Sequence, residues 1–101
     1  MELKNSTDFE GLLQTDKLVI VDFFATWCPP CKMLGPVLEE FAEKHPEIVV
    51  VKVNSDEFHS LANRYEIRSV PTLLFFRNNQ MINRHSGFLG LSDLEKLVAT
   101  L

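Results

Sequence analysis

Cysteine is scarce in this chain. Two in 101 residues cannot build the cross-linked scaffold of a small secreted domain, which relies on several bridges. Long hydrophobic runs are missing as well. No apolar stretch approaches the roughly 18–20 residues that span a bilayer, and the opening Met1-Glu2-Leu3-Lys4-Asn5 lacks the apolar segment of a secretory signal. The expectation is a cytoplasmic protein that does not engage a membrane. Positive charge is in deficit: 10 Lys and Arg against 14 Asp and Glu leave a net charge of −4. An acidic surface repels nucleic acid and anionic lipid, so neither is expected as the main partner. Gly/Ser-rich stretches, repeats and blocks of like charge are also absent, so nothing divides the chain. Residues 1–101 read as one domain, at the low end of the usual range of about 100–150 residues.

What is present is apolar and patterned. Hydrophobic residues make up 46% of the chain and eight are Phe, enough to bury a core. Leu18-Val19-Ile20-Val21-Asp22-Phe23-Phe24 and Ile48-Val49-Val50-Val51-Lys52-Val53 are nearly continuous β-branched and aromatic runs, as in strands covered on both faces. Between them Leu34, Val37, Leu38 and Phe41 fall at i, i+3, i+4, i+7, a helix with one apolar face. Strand, helix, strand at this spacing is a βαβ unit with a parallel crossover.

The remaining elements are shorter. Thr7 with Glu10 has the spacing of a capping box, opening a helix over Phe9, Leu12 and Leu13. Phe58, Leu61, Ala62 and Tyr65 repeat the helical spacing. Thr72–Phe76 reads as a strand, and Asn78-Asn79 as a hairpin turn into a strand over Met81–Ser86, because Asn tolerates positive φ. Ser92 with Glu95 forms a second capping box before Leu94, Leu97, Val98 and Leu101. With a further short strand near Leu3, the expected order is strand, helix, strand, helix, strand, helix, strand, strand, helix. The fold class is α/β, a central mixed β-sheet flanked by four helices.

Chemistry is concentrated at Trp27-Cys28-Pro29-Pro30-Cys31-Lys32. Proline is well accepted at the start of a helix, which places Cys28 at a helix N-terminus and Cys31 in its first turn. Unpaired N–H groups and the positive end of the helix favour a thiolate at Cys28, and two residues between the cysteines let the sulfurs meet. Cys28 is then the nucleophile in disulfide exchange and Cys31 the resolving thiol. Structural zinc takes four ligands, whereas His45, His59 and His85 lie in three separate segments, so no metal is expected. Two inert core cysteines remain an alternative, but that reading leaves their place at a Pro-marked helix start unexplained.

The stretch Val21–Met33 with its Trp-Cys-Pro-Pro-Cys core, the segment Ile67-Arg68-Ser69-Val70-Pro71-Thr72 and Gly87 together resemble the thioredoxin family, over essentially the whole chain. Thioredoxins are the reference case for a C-x-x-C thiol of lowered pKa. The resemblance implies the thioredoxin fold and a protein-disulfide reductase that donates electrons to client proteins. It implies no cofactor, a monomer, and recharging by an NADPH-linked thioredoxin reductase or an equivalent donor. A dedicated redox partner or binding module for one client is the alternative.

The resemblance also assigns roles. Asp22 would accept the proton of Cys31, the other reading being a partly solvated acid at a strand end. Lys52 would tune Asp22, unless it is merely a snorkelling strand lysine. A cis Val70–Pro71 bond would face the cysteines, and Trp27, Val70, Pro71, Gly87 and Phe88 would form the client-binding rim together with Pro30. Pro29 stands where the family usually has Gly, so Pro29 and Pro30 are expected to tune the redox couple. Phe24 replaces a common Trp, and Asn79 a turn glycine. Pro36 matches a proline that bends the long helix, the alternative being a helix boundary at Gly35-Pro36.

Overall fold

The central strand of the sheet is β1 (Val19–Phe24), buried along its whole length. In the computed structural model, which describes residues 1–101, β1 pairs in parallel with β2 (Val49–Asn54). It pairs antiparallel with β3 (Thr72–Arg77), and β3 is joined antiparallel to β4 (Gln80–Ser86). The order across the sheet is β2-β1-β3-β4. Four helices complete the chain: α1 (Phe9–Leu13), α2 (Pro29–Lys44), α3 (His59–Arg64) and α4 (Leu91–Ala99). None is long and apolar enough to cross a membrane.

Alternation along β1 divides the core into two layers. Val19, Val21 and Phe23 join Val51, Val53, Leu74 and Phe76 against Phe9, Leu13 and Leu61, on the side of α1 and α3. Ile20 joins Leu73 and Phe75 against Leu34, Leu38, Phe41 and Leu94, on the side of α2 and α4. Both faces of the strand are therefore covered, which is why its sequence is an unbroken apolar run. Asp22 falls in the α2-side register and is fully buried.

The structure corrects three expectations. The strand near Leu3 is a single parallel bridge, Glu2 to Lys52, flanked by Lys52 N–H to Met1 O at 2.7 Å and Leu3 N–H to Lys52 O at 2.8 Å. The sheet thus has four strands, because the chain turns into a 3-10 segment at Ser6–Asp8 before a ladder can extend. Neither capping box forms. Thr7 lies inside that 3-10 turn, so α1 begins with Asp8 as its N-cap. The first turn of α4 closes on Gly90, whose carbonyl accepts Leu94 N–H at 3.0 Å, leaving Ser92 inside the helix. Conversely, α2 runs unbroken through Pro36, so Gly35-Pro36 is no boundary.

The Asn78-Asn79 turn forms as expected, with φ of 52° and 64°, the paired positive values of a tight hairpin. Asparagine reaches this region at some cost and glycine at almost none. Asn79→Gly is therefore expected to stabilise the fold by about 0.5 kcal/mol, read as a higher urea midpoint. An unchanged or lower midpoint would mean that the turn is not under this constraint.

Candidate active site

The N-terminus of α2 is built around sulfur. Cys28 is the N-cap residue, extended at φ −96° and ψ 110°, with prolines in the first two helical positions. Proline has no N–H, so two of the donors that a helix start normally leaves free are missing here. The first N–H left is that of Cys31, and it donates to Cys28 Sγ at 3.3 Å. The several donors expected at the nucleophile are thus reduced to one well-aimed amide. The two cysteines are disulfide-bonded, with Cα atoms 5.3 Å apart. Both sulfur residues are buried, 3% and 6% exposed, and they pack with Phe24, Ala25 and the half-buried Val70.

Val70 approaches from the loop before β3. Its carbonyl oxygen lies 3.5 Å from Cys28 Sγ, within reach of a reduced thiol, and the Val70–Pro71 bond is cis. Pro71 O accepts Gly87 N–H at 2.8 Å, and Gly87 sits at φ +98°, a conformation that suits glycine. Val70, Pro71 and Gly87, singled out in the sequence, therefore meet at one place. Phe88 follows directly, with its side chain 42% exposed. Trp27 is 68% exposed, and its indole N–H donates to Asp56 Oδ2 at 2.9 Å. Sequence reasoning missed Asp56. The signal available was Asn54-Ser55-Asp56 directly after the apolar run of β2, where Asp56 N–H donates to Asn54 Oδ1 at 3.0 Å as a local side-chain turn.

Asp22 lies beneath α2, and neither carboxylate oxygen has a hydrogen-bond partner. Burial lifts its pKa from the usual 3.8 to about 7, against the opposing pull of the Lys52 ammonium. Lys52 is directly opposite Asp22 in the β1–β2 ladder. Its Nζ rests 4.8 Å from the centre of the Phe24 ring, and a methyl group placed on Gly35 would come within 3.9 Å of it. Gly35 is one helical turn beyond Cys31, so the two share a face of α2. Cys31, Gly35 and Lys52 also line one open cleft with Phe24, Ala25, Thr26 and Lys32. The buried acid, the lysine and the second cysteine thus meet on the same side of the sheet.

A protein-family model described as Thioredoxin matches residues 1–100. The chain belongs to the thioredoxin family. A thioredoxin of Mycoplasmoides gallisepticum is 41% identical over 96 residues, covering 95% of this chain and 96% of that one. Among solved structures, a mutant thioredoxin from Halobacterium salinarum NRC-1 superposes with a TM-score of 0.91 at 32% identity, over 99% of this chain and 88% of that one. Another, with TM-score 0.89, 32% identity and coverage of 100% and 94%, comes from work on thiol resolution in yeast mitochondrial 1-Cys peroxiredoxin via glutathione/thioredoxin systems. Thioredoxins are thiol–disulfide oxidoreductases. With its one cysteine pair at bonding distance on a helix N-terminus, this member of the family is a protein-disulfide reductase working through Cys28 and Cys31.

Proposed function

We propose that the chain acts as a monomeric, cytoplasmic reductant of client-protein disulfides, peroxiredoxins among them, recharged by an NADPH-linked thioredoxin reductase. The observation that carries this reading is the Cys31 N–H aimed at Cys28 Sγ beside an open peptide edge at Val70. The chain has two cysteines and both lie in this one pair, which suits a reducing compartment.

In the reduced state the single amide and the helix end stabilise negative charge on Cys28. An extended client segment pairs with the Val70 backbone, and the exposed Trp27, Pro30 and Phe88, with the half-buried Gly87, cover its apolar side. The Cys28 thiolate attacks one client sulfur, the client S–S bond breaks, and the second client sulfur leaves as a thiolate. Asp22, ionised above pH about 7, takes the proton of Cys31, with Lys52 holding that carboxylate in range. Cys31 then attacks Cys28 Sγ, the Cys28–client bond breaks, and the Cys28–Cys31 disulfide forms. The released client thiolates take up protons from Asp22 and solvent. Two electrons pass to the client, and the reductase returns them. Pro29 and Pro30 tune the couple by restricting the turn and by withholding two N–H donors from the thiolate.

The test is insulin reduction with NADPH and thioredoxin reductase, comparing the wild type with Trp27→Ala. Turnover above background is expected in both. Loss of a central aromatic contact should raise KM for insulin about tenfold with kcat preserved. Background turnover in the wild type would leave only a binding module. Equal KM values would remove Trp27 from the docking rim.

A further inference from the structure

The carbonyl that faces Cys28 belongs to a short loop, residues 66–71, between α3 and β3. That loop is fastened at both ends. At its start α3 closes with a paired cap: Glu66 N–H donates to Asn63 O at 3.1 Å and Ile67 N–H to Ala62 O at 2.9 Å. This arrangement requires its turning residue in the left-handed region, where glycine is usual. Here the residue is Glu66, at φ +52°, a conformation that L side chains seldom adopt. The cap satisfies the carbonyls of Ala62 and Asn63 but not those of Tyr65 and Glu66.

Those two are taken by Arg84 of β4. Its Nη1 donates to Tyr65 O at 2.5 Å and its Nη2 to Glu66 O at 2.8 Å. Arg84 stands opposite Leu74 in the β3–β4 ladder, and Leu74 packs on the α3 side of the sheet with Leu61. The arginine therefore leaves the sheet edge on the side where α3 ends. A planar guanidinium can hold two successive carbonyls at once, while a lysine ammonium is a point donor without that fork. Its charge also complements the negative end of the helix. At the far end of the loop Thr72 Oγ1 donates to Ser69 O at 2.7 Å. Between these two ties hangs Val70, 3.5 Å from Cys28 Sγ.

We propose that Arg84 is a positioning residue for client docking: its fork on the Tyr65 and Glu66 carbonyls fixes the loop that presents Val70 to the client, and so sets affinity for protein disulfides without touching either sulfur. The proposal rests on Val70 being the docking edge. The experiment compares Arg84→Gln and Arg84→Lys with the wild-type chain by amide hydrogen exchange, insulin reduction, and alkylation of Cys28 by iodoacetamide. With glutamine, exchange at Glu66 and Ile67 should quicken roughly three- to tenfold, in line with the loss of charge-assisted hydrogen bonds at an exposed site. Core amides such as Val21 should be unaffected. KM for insulin should rise by a similar factor, with kcat and the alkylation rate of Cys28 unchanged. Lysine should fall between, since one ammonium still reaches one carbonyl. Unaltered exchange at Glu66 and Ile67 would overturn the proposal. So would equal quickening at Val21 with KM and kcat falling off together, which marks general destabilisation. Quicker loop exchange with an unaltered KM would overturn Val70 as the docking edge, and with it the link from Arg84 to client affinity.

Discussion

Cys28→Ser abolishes insulin reduction, by a factor on the order of a thousand or more, as expected when a nucleophile is removed. A serine hydroxyl in the same place accepts the Cys31 amide but is not ionised near neutrality, so no attacking anion exists. The fold should survive, because the site is a helix cap and serine is a good N-cap residue. Cys31→Ser behaves differently. The first exchange still proceeds, and the chain accumulates as a mixed disulfide with its client, because the resolving sulfur is gone. Non-reducing gel electrophoresis with insulin distinguishes the two variants. A trapped adduct in Cys28→Ser but not in Cys31→Ser would reverse the assignment of the sulfurs. Geometry supports Cys28 as the first to attack: it is the sulfur that accepts an amide proton and meets Val70, while Cys31 faces back toward the cleft shared with Lys52.

Asp22→Asn separates stability from catalysis, and the two effects have opposite sign. The folded chain retains the Asp22 proton up to pH about 7, while an unfolded chain releases it near 3.8. Folding therefore takes up a proton between those values. The stability associated with the protonated acid is complete below pH about 4 and is lost as pH rises toward 7. Three pKa steps correspond to roughly 4 kcal/mol, an upper figure because relaxation around a buried charge reduces it. Asparagine does not ionise, so the variant should be more stable than wild type by up to about 4 kcal/mol at pH 8, with little difference at pH 4. Urea unfolding at the two pH values measures this, and parallel stability curves would contradict it. Resolution of the mixed disulfide should meanwhile slow by about tenfold to a hundredfold near pH 7, at or below the lower end of what a positioned base contributes. The deficit should shrink as the pH is raised further, because solvent hydroxide can then take the proton in place of the carboxylate. Equal rates from pH 6 to 9 would remove Asp22 from the proton path.

Cys28 and Asp22 show why part of the site could be read from the letters. A carboxylate inside Val19–Phe24 stands out because the strand period of two puts Asp22 on a face shared with Ile20, and a run apolar on both sides leaves no solvent for it. Cys28 and Cys31 stand out because two prolines fix a helix start around them. Trp27's partner was less accessible. Asp56 lies 29 positions away, in a turn whose sequence resembles many surface turns. Arg84 was invisible for a similar reason: alternation places it on the solvent-rich edge strand β4, where a charged residue is unremarkable. Only the end of α3 arriving beside it makes its fork meaningful.

Short-range signals were enough for the strands and helices with strong periodicity, the two-sided burial of β1, the Asn78-Asn79 turn and the cysteine-bearing helix start. Each follows from side-chain period, proline or positive φ, which act over a few residues. Whatever depends on distant segments meeting emerged only in the folded chain. Packing reduced the first strand to one bridge, replaced both capping boxes with backbone closures, and set Val70 against Cys28 across 42 positions. It also gave Asp22 a pKa of about 7, since desolvation depends on everything packed around the carboxylate rather than on its neighbours in the chain.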